Sequence, residues 1–262
     1  MQMPSTFGVD AEGLIKLPPE PPLQPGFGAL LDELCHSLGQ PSLHSLYLYG
    51  SVARGEARVG ISDLDLALIL RQPPAPGLLD ELEQLRLQLQ ARHPEVSKID
   101  FDIGHLEQVL ASENRPSWGY WLKHHCRCLL GEDLRQRFAP FKPSREIALA
   151  VNGDFLAVLN DYATRIDHAP TPGQTLRLQR EASRKLLRAT NLLRPEQEPS
   201  WPRSLDEHAQ LFVRRYPQMK AAIDEFRQAA EATSPADAGF SSRLRQMAQW
   251  MSQQADTLCP RD

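Results

Sequence analysis

Asp63 and Asp65 stand two residues apart in the run DLDLALIL, and the Gly50-Ser51 pair precedes them in LYLYGSVARGEARVGIS. On a strand, residues i and i+2 project from the same face with Cα atoms about 7 Å apart, so the two carboxylates can share one ion. Carboxylates that close repel each other, and a cation between them relieves the repulsion. An all-oxygen site with open positions suits Mg²⁺, which takes one or two carboxylates and completes its shell with water and substrate phosphates. A third carboxylate must come from a neighbouring strand, and KIDFDIG offers Asp100 and Asp102 on its polar side. Both stand as candidates. Three strand-borne carboxylates could hold two Mg²⁺ ions, one gripping a triphosphate and one lowering the pKa of an attacking hydroxyl.

Gly50 and Ser51 supply the phosphate side of that chemistry. Without a Cβ at Gly50 the backbone can bend sharply and approach a ligand, and the amides after it would open a short helix, SVARGEA, toward an anion. Arg54 adds a cation in the same turn. The 21 residues GSVARGEARVGISDLDLALIL resemble the signature of the polymerase β-type nucleotidyltransferase superfamily: Gly-Ser, an Ala-Arg-Gly turn, a spacer, then Ser-Asp-x-Asp. IDFDIGHLEQV is similar to the family's third-carboxylate strand, and LLGEDL to a common closing element. The resemblance runs from about residue 28 to 137. It implies triphosphate contacts from Gly50, Ser51, Arg54 and Ser62, and metal ligands at Asp63 and Asp65. It implies a third carboxylate, ligand or base, at Asp100, with Asp102 the departure from the commonest pattern and the alternative ligand.

The elements that must position these residues follow from periodicity. Leu30, Leu31, Leu34 and Leu38 recur at helical spacing, then LHSLYLY reads as a strand broken by Gly50, and DLDLALIL as another that RQPPAPG cannot continue. Leu78, Leu79, Leu82, Leu85 and Leu89 mark an amphipathic helix, and Ile99, Phe101 and Ile103 occupy one side of the strand that follows. After CRCLLGEDL the strand-like runs stop. APFKPS reads as a linker, and helices are expected near 144–167, 174–193, 204–231 with a break at Pro217, and 240–257. Pattern and resemblance together predict an α+β chain. A proline-rich arm over 1–27 leads into a nucleotidyltransferase α/β domain with a small mixed sheet over 28–141. An all-helical domain follows over 142–262, with the substrate between the two.

The chain of 262 residues has a net charge of −4 and a pI near 6.1, which gives no support to sequence-independent binding of a polyanion. No apolar run approaches a membrane span, the N-terminus lacks the pattern of a signal peptide, and four cysteines form no disulfide framework. A cytoplasmic protein with reduced thiols is expected. In HHCRC, His124, Cys126 and Cys128 would share one face of a strand, but no second pair of ligands accompanies them, so they read as packing residues. Trp118, Tyr120 and Trp121 could line a substrate cleft, though aromatics at this density more often pack in a core. Arg177, Arg180, Arg184 and Arg188 recur at helical spacing beside Lys185, and a solvated face is the default reading. Two-domain members of the family close the nucleotide cleft with a basic residue from the helical domain, which makes Arg184 and Lys185 candidates.

The function expected is transfer of a nucleoside monophosphate, AMP from ATP, to an acceptor hydroxyl. In length and domain order the chain resembles the adenylyltransferases that inactivate aminoglycosides, which implies a small-molecule acceptor. Asp154 and Asp161, at i and i+7 on GDFLAVLNDYATRID, would face a cationic acceptor. The rivals are toxin-type modification of tRNA or a protein, and a catalytically silent nucleotide-binding interaction module.

Overall fold

The computed structural model describes residues 7–258. It divides into two compact units. One spans Lys16–Phe141; the other gathers the chain from Lys142 onward together with residues 7–15.

The first unit is built on leucine. Helix α1 (Gly28–Leu38) buries Leu30, Leu31, Leu34 and Leu38, the one-sided stripe that its spacing predicts. Strands β1 (Leu43–Tyr49) and β2 (Leu64–Leu70) pair antiparallel, and β3 (Ile99–His105) runs parallel to β2. A parallel neighbour needs a crossover, and helix α3 (Leu78–Arg92) provides it. The short helix α2 (Gly50–Ala53) joins β1 to the loop before β2. After α4 (Leu106–Leu110) and α5 (Tyr120–His125), β4 (Arg127–Gly131) adds antiparallel to the other side of β1. The sheet is therefore mixed, in the order β3-β2-β1-β4.

Alternation on β2 decides what the sheet presents. Leu64, Leu66, Leu68 and Leu70 all point into the core with α1 and Leu82 and Leu89 of α3, while Asp65, Ala67 and Ile69 face the other way. Each buried leucine contributes about 1.5–3 kcal/mol, and a one-residue slip would exchange the two faces and drive the aspartates into the core. The leucine ladder thus fixes the register that sets Asp65 opposite Asp100.

The second unit is helical: α6 (Arg145–Asn152), α7 (Phe155–Asp167), α8 (Pro172–Ala189), α9 (Leu205–Arg215), α10 (Lys220–Ala229) and α11 (Phe240–Leu258). The helix expected over 144–167 is two helices, because the turn at Gly153 and Asp154 interrupts it. Side chains cap their starts: Ser144 for α6, Thr171 with Pro172 behind it for α8, and a reciprocal Ser204 and Glu207 capping box for α9. Leu159, Leu186, Phe212, Phe226, Phe240 and Leu244 are buried. So is Arg194, whose guanidinium lies over the Trp201 ring at 5.0 Å. Among the described residues no helix is long and apolar enough to cross a membrane.

Of the proline-rich arm expected over 1–27, residues 1–6 lie outside the described residues, and 7–27 are fastened by specific hydrogen bonds. Val9 and Ile15 make a bridge and are both buried, and the Trp201 amide donates to the Phe7 carbonyl at 2.8 Å. Further on, the Gln24 side chain exchanges hydrogen bonds with the Ala57 backbone, and Arg127 donates to the Pro21 carbonyl at 2.6 Å. Proline removes a donor but leaves its acceptor, and arginine and glutamine side chains take up the groups that a ladder would have used.

The capping box gives a test confined to the helical unit. Ser204→Ala removes the bond to the Glu207 amide and should cost about 1 kcal/mol in denaturant unfolding of the chain.

Candidate active site

One row of the sheet carries Tyr49 on β1, Asp65 on β2 and Asp100 on β3, in register and on one face. The next row holds Ala67 and Asp102. Asp63 precedes β2 by one residue and follows the same alternation. The structure therefore gathers all four sequence candidates on one face of neighbouring strands.

Asp65 is the most constrained of them. Gly50 adopts φ +74°, and a Cβ there would lie 1.9 Å from Oδ2 of Asp65. Glycine is required twice over, once for the left-handed backbone and once for the space that the carboxylate fills. The Asp65 carboxyl is pushed up to about 6, first by burial, then by the charges of Asp63, Asp100 and Asp102, with Arg54 opposing. Three like charges surround it, and the cation that opposes them, Arg54, is itself paired with Glu56 at 2.9 Å.

The other carboxylates each hold a partner. The Ser97 hydroxyl lies 2.5 Å from Oδ1 of Asp63 and 2.9 Å from the Ile61 carbonyl and shares its one proton between these two acceptors. Tyr49 donates to Oδ2 of Asp102 at 2.5 Å, and Lys98 pairs with Asp100 at 2.6 Å. Ser62 accepts from the Arg58 amide at 2.9 Å, which closes the loop before Asp63, and the Ser51 carbonyl accepts from the Glu56 amide. Among the described residues no group of three or more His, Cys, Asp or Glu side chains is already arranged to hold a metal ion. The donor set still fits one: four carboxylates on one face, one of them half-buried and resisting ionisation, would be stabilised by a hard cation that oxygen ligands prefer.

Tyr49, Ser97 and Lys98 were not singled out in the sequence. Lys98 lies two residues before Asp100, so the alternation that grouped Asp100 with Asp102 already placed it on that face. Ser97 joins through the packing of two loops, which leaves no periodic signal.

The remaining candidates belong to other elements. Lys185 and Arg184 sit on α8 in the helical unit, where Lys185 pairs with Asp154 at 2.7 Å. Asp161 pairs with Arg165. Asp154 and Asp161 thus have cations of their own, and their helix is the second of the unit rather than the first. HHCRC does not lie on one strand: His124 belongs to α5, Cys126 ends that helix and Cys128 lies in β4. His124 stacks on Tyr120, and burial pushes both thiols up, as expected of packing residues. Of the aromatics, Tyr120 is buried, Trp118 covers Gly104, and Trp121 meets Tyr49 edge-on at 5.1 Å.

Residues 29–112 match the family model described as a nucleotidyltransferase domain. No curated protein matches the chain. Among solved structures the chain is similar to the crystal structure of spectinomycin adenyltransferase AAD(9) from Enterococcus faecialis with ATP and spectinomycin. The TM-score is 0.50 at 9% identity, over 87% of this chain and 97% of that one. The matched residues fall within the Lys16–Phe141 unit and include the motif on which the resemblance to the polymerase β-type superfamily rests; the structural likeness bears on the fold. The fold is α+β with a helical C-terminal part.

Two outcomes follow from the geometry. Because the folded-state pKa of Asp65 is raised, the folded protein binds a proton that the unfolded chain gives up, and stability falls as pH rises from about 4 to 6. In the presence of a chelator, Asp65→Asn should therefore be more stable than the parent at pH 7.5, by on the order of 1–3 kcal/mol, and equal to it near pH 4. Melting curves at the two pH values read the difference. Gly50→Ala should lose about 2 kcal/mol or more, and the loss should shrink in the Gly50→Ala, Asp65→Ala double variant, where only the backbone strain remains.

Proposed function

We propose that the protein transfers AMP from ATP to a hydroxyl of a small-molecule acceptor, with Mg²⁺ bound at Asp63, Asp65 and Asp100. The observation that carries this reading is the Asp65 carboxylate, seated on Gly50 and surrounded by three like charges at a turn that ends in Gly-Ser. A structural role would not concentrate negative charge there, since each added carboxylate raises the cost of the next. The nucleotidyltransferase domain supports the reaction class, and the neighbour crystallised with ATP and spectinomycin supports ATP as donor and a polar small molecule as acceptor.

Mg²⁺ bound to the aspartates would neutralise triphosphate charge and favour ionisation of the attacking hydroxyl. The chain's own residues do the rest. The Gly50-Ser51 turn and Arg54 hold the β and γ phosphates, with Ser62 shaping the loop beside them. Asp63 and Asp65 would hold the Mg²⁺ that screens the α-phosphate from their own charge, since carboxylates alone would repel it. Asp100, the more accessible carboxylate of that row, accepts the hydroxyl proton. The new bond joins the acceptor oxygen to the α-phosphorus, the α–β bridging bond breaks, and pyrophosphate leaves. Positioning and charge stabilisation supply the rate enhancement, as phosphoryl transfer generally demands.

The acceptor is proposed to be a cationic, hydroxyl-rich molecule of the aminoglycoside kind, which suits a chain of net charge −4 better than a tRNA does. Incubation with α-labelled ATP, Mg²⁺ and a panel of aminoglycosides and aminocyclitols should move label onto one of them. Label on tRNA or on a protein instead would overturn the acceptor, and no label on any of the three would overturn the activity. Asp63→Asn and Asp65→Asn should each lower transfer at least 100-fold.

A further inference from the structure

Strand β3 offers two carboxylates on one face, Asp100 and Asp102, and the structure gives them partners of different kinds. The Asp102 partner is fixed. Tyr49 donates its hydroxyl to Oδ2, and its ring is braced edge-on by Trp121, which stacks in turn on His125 at 4.8 Å. To release Asp102 the phenol would have to leave an aromatic stack, and the carboxylate would lose a neutral donor that satisfies it without cancelling its charge.

The Asp100 partner is loose. Lys98 and Asp100 meet at 2.6 Å with side chains 50% and 37% exposed. Exposed pairs of this kind hold weakly and pay side-chain entropy. Both residues line a cavity of about 290 Å³ at the edge of the sheet, with Arg86 and Phe101 among its walls, so the lysine stem has room to turn. A single ammonium charge at Asp100 stands where a divalent ion would gain more from the same oxygens.

We infer that Tyr49 and Lys98 are positioning residues that sort the two β3 carboxylates. Tyr49 keeps Asp102 out of the cation site as a fixed acceptor, and Lys98 occupies Asp100 as a displaceable counter-ion that gives way to the divalent cation. The inference rests on the metal-nucleotide reading above and adds to it the two side chains that decide which carboxylate the metal meets.

Calorimetric titration of Mn²⁺ into the full chain saturated with a non-hydrolysable ATP analogue reads this without turnover. Lys98→Met, which removes the competitor, should tighten Mn²⁺ binding by up to about fivefold, and Asp100→Asn should weaken it at least tenfold. Asp102→Asn should leave it within twofold. Tyr49→Phe, which frees a further carboxylate to turn toward the cation, should tighten it about threefold, and adding Asp102→Asn should restore the parent value. Weaker binding in Lys98→Met, or a loss in Asp102→Asn as large as in Asp100→Asn, would overturn the sorting while leaving the nucleotidyl-transfer reading in place. Failure of the parent chain to bind Mn²⁺ with the analogue would overturn both.

Discussion

Crowding of like charge at Asp65 is the constraint around which the first unit is organised. The carboxylate lies against the Cα of Gly50, beside the charges of Asp63, Asp100 and Asp102, on a face of the sheet that the leucines of β2 cannot occupy. Nothing in the core needs this arrangement, and the free protein is destabilised by it. The leucine ladder supplies the free energy that holds the register, and the register holds four carboxylates where none would settle alone. On the proposed reading, the stability given up on this face is recovered when a cation and a triphosphate bind, the usual relation between a catalytic centre and its scaffold.

The partners of these carboxylates refine that picture. Each one that is not Asp65 is met by a group that moderates it: a serine hydroxyl, a phenol, an ammonium. None of the three is a metal, and they differ in how readily they yield. Their spread from braced aromatic to exposed lysine gives the face a graded response to an incoming charge, and the strands themselves need not move.

Much of this was legible in the sequence, for physical reasons. Leucine at every second position from Leu64 to Leu70, with Asp63 and Asp65 on the alternate positions, specifies both strand and face, and the Gly50-Ser51 pair at fixed distance from Asp63 specifies the turn. The long-range pairings were not legible. That β4 lies beside β1, that Tyr49 reaches past its own row to Asp102, and that Ser97 bonds to Asp63 all depend on tertiary packing that no local period encodes. In the N-terminal segment, proline content reports missing donors and says nothing of the acceptors that Arg127 and Trp201 find there. Asp154 and Lys185, two candidates read separately from two helices, turned out to pair with each other. A charge on a helix face has no sequence signal for which partner will reach it.

The central claim is that Asp65 carries a proton-binding equilibrium displaced by its neighbours and reversed by metal. Carbon-detected NMR of the aspartate carboxyl groups through a pH titration measures it directly. The account predicts one carboxyl titrating at about 6 in the free protein, absent from Asp65→Asn, and moved below the ordinary carboxylate range when Mg²⁺ and a non-hydrolysable ATP analogue are added. If every aspartate titrates at its ordinary value and none responds to the metal and nucleotide together, the face is a solvated surface and the account is wrong.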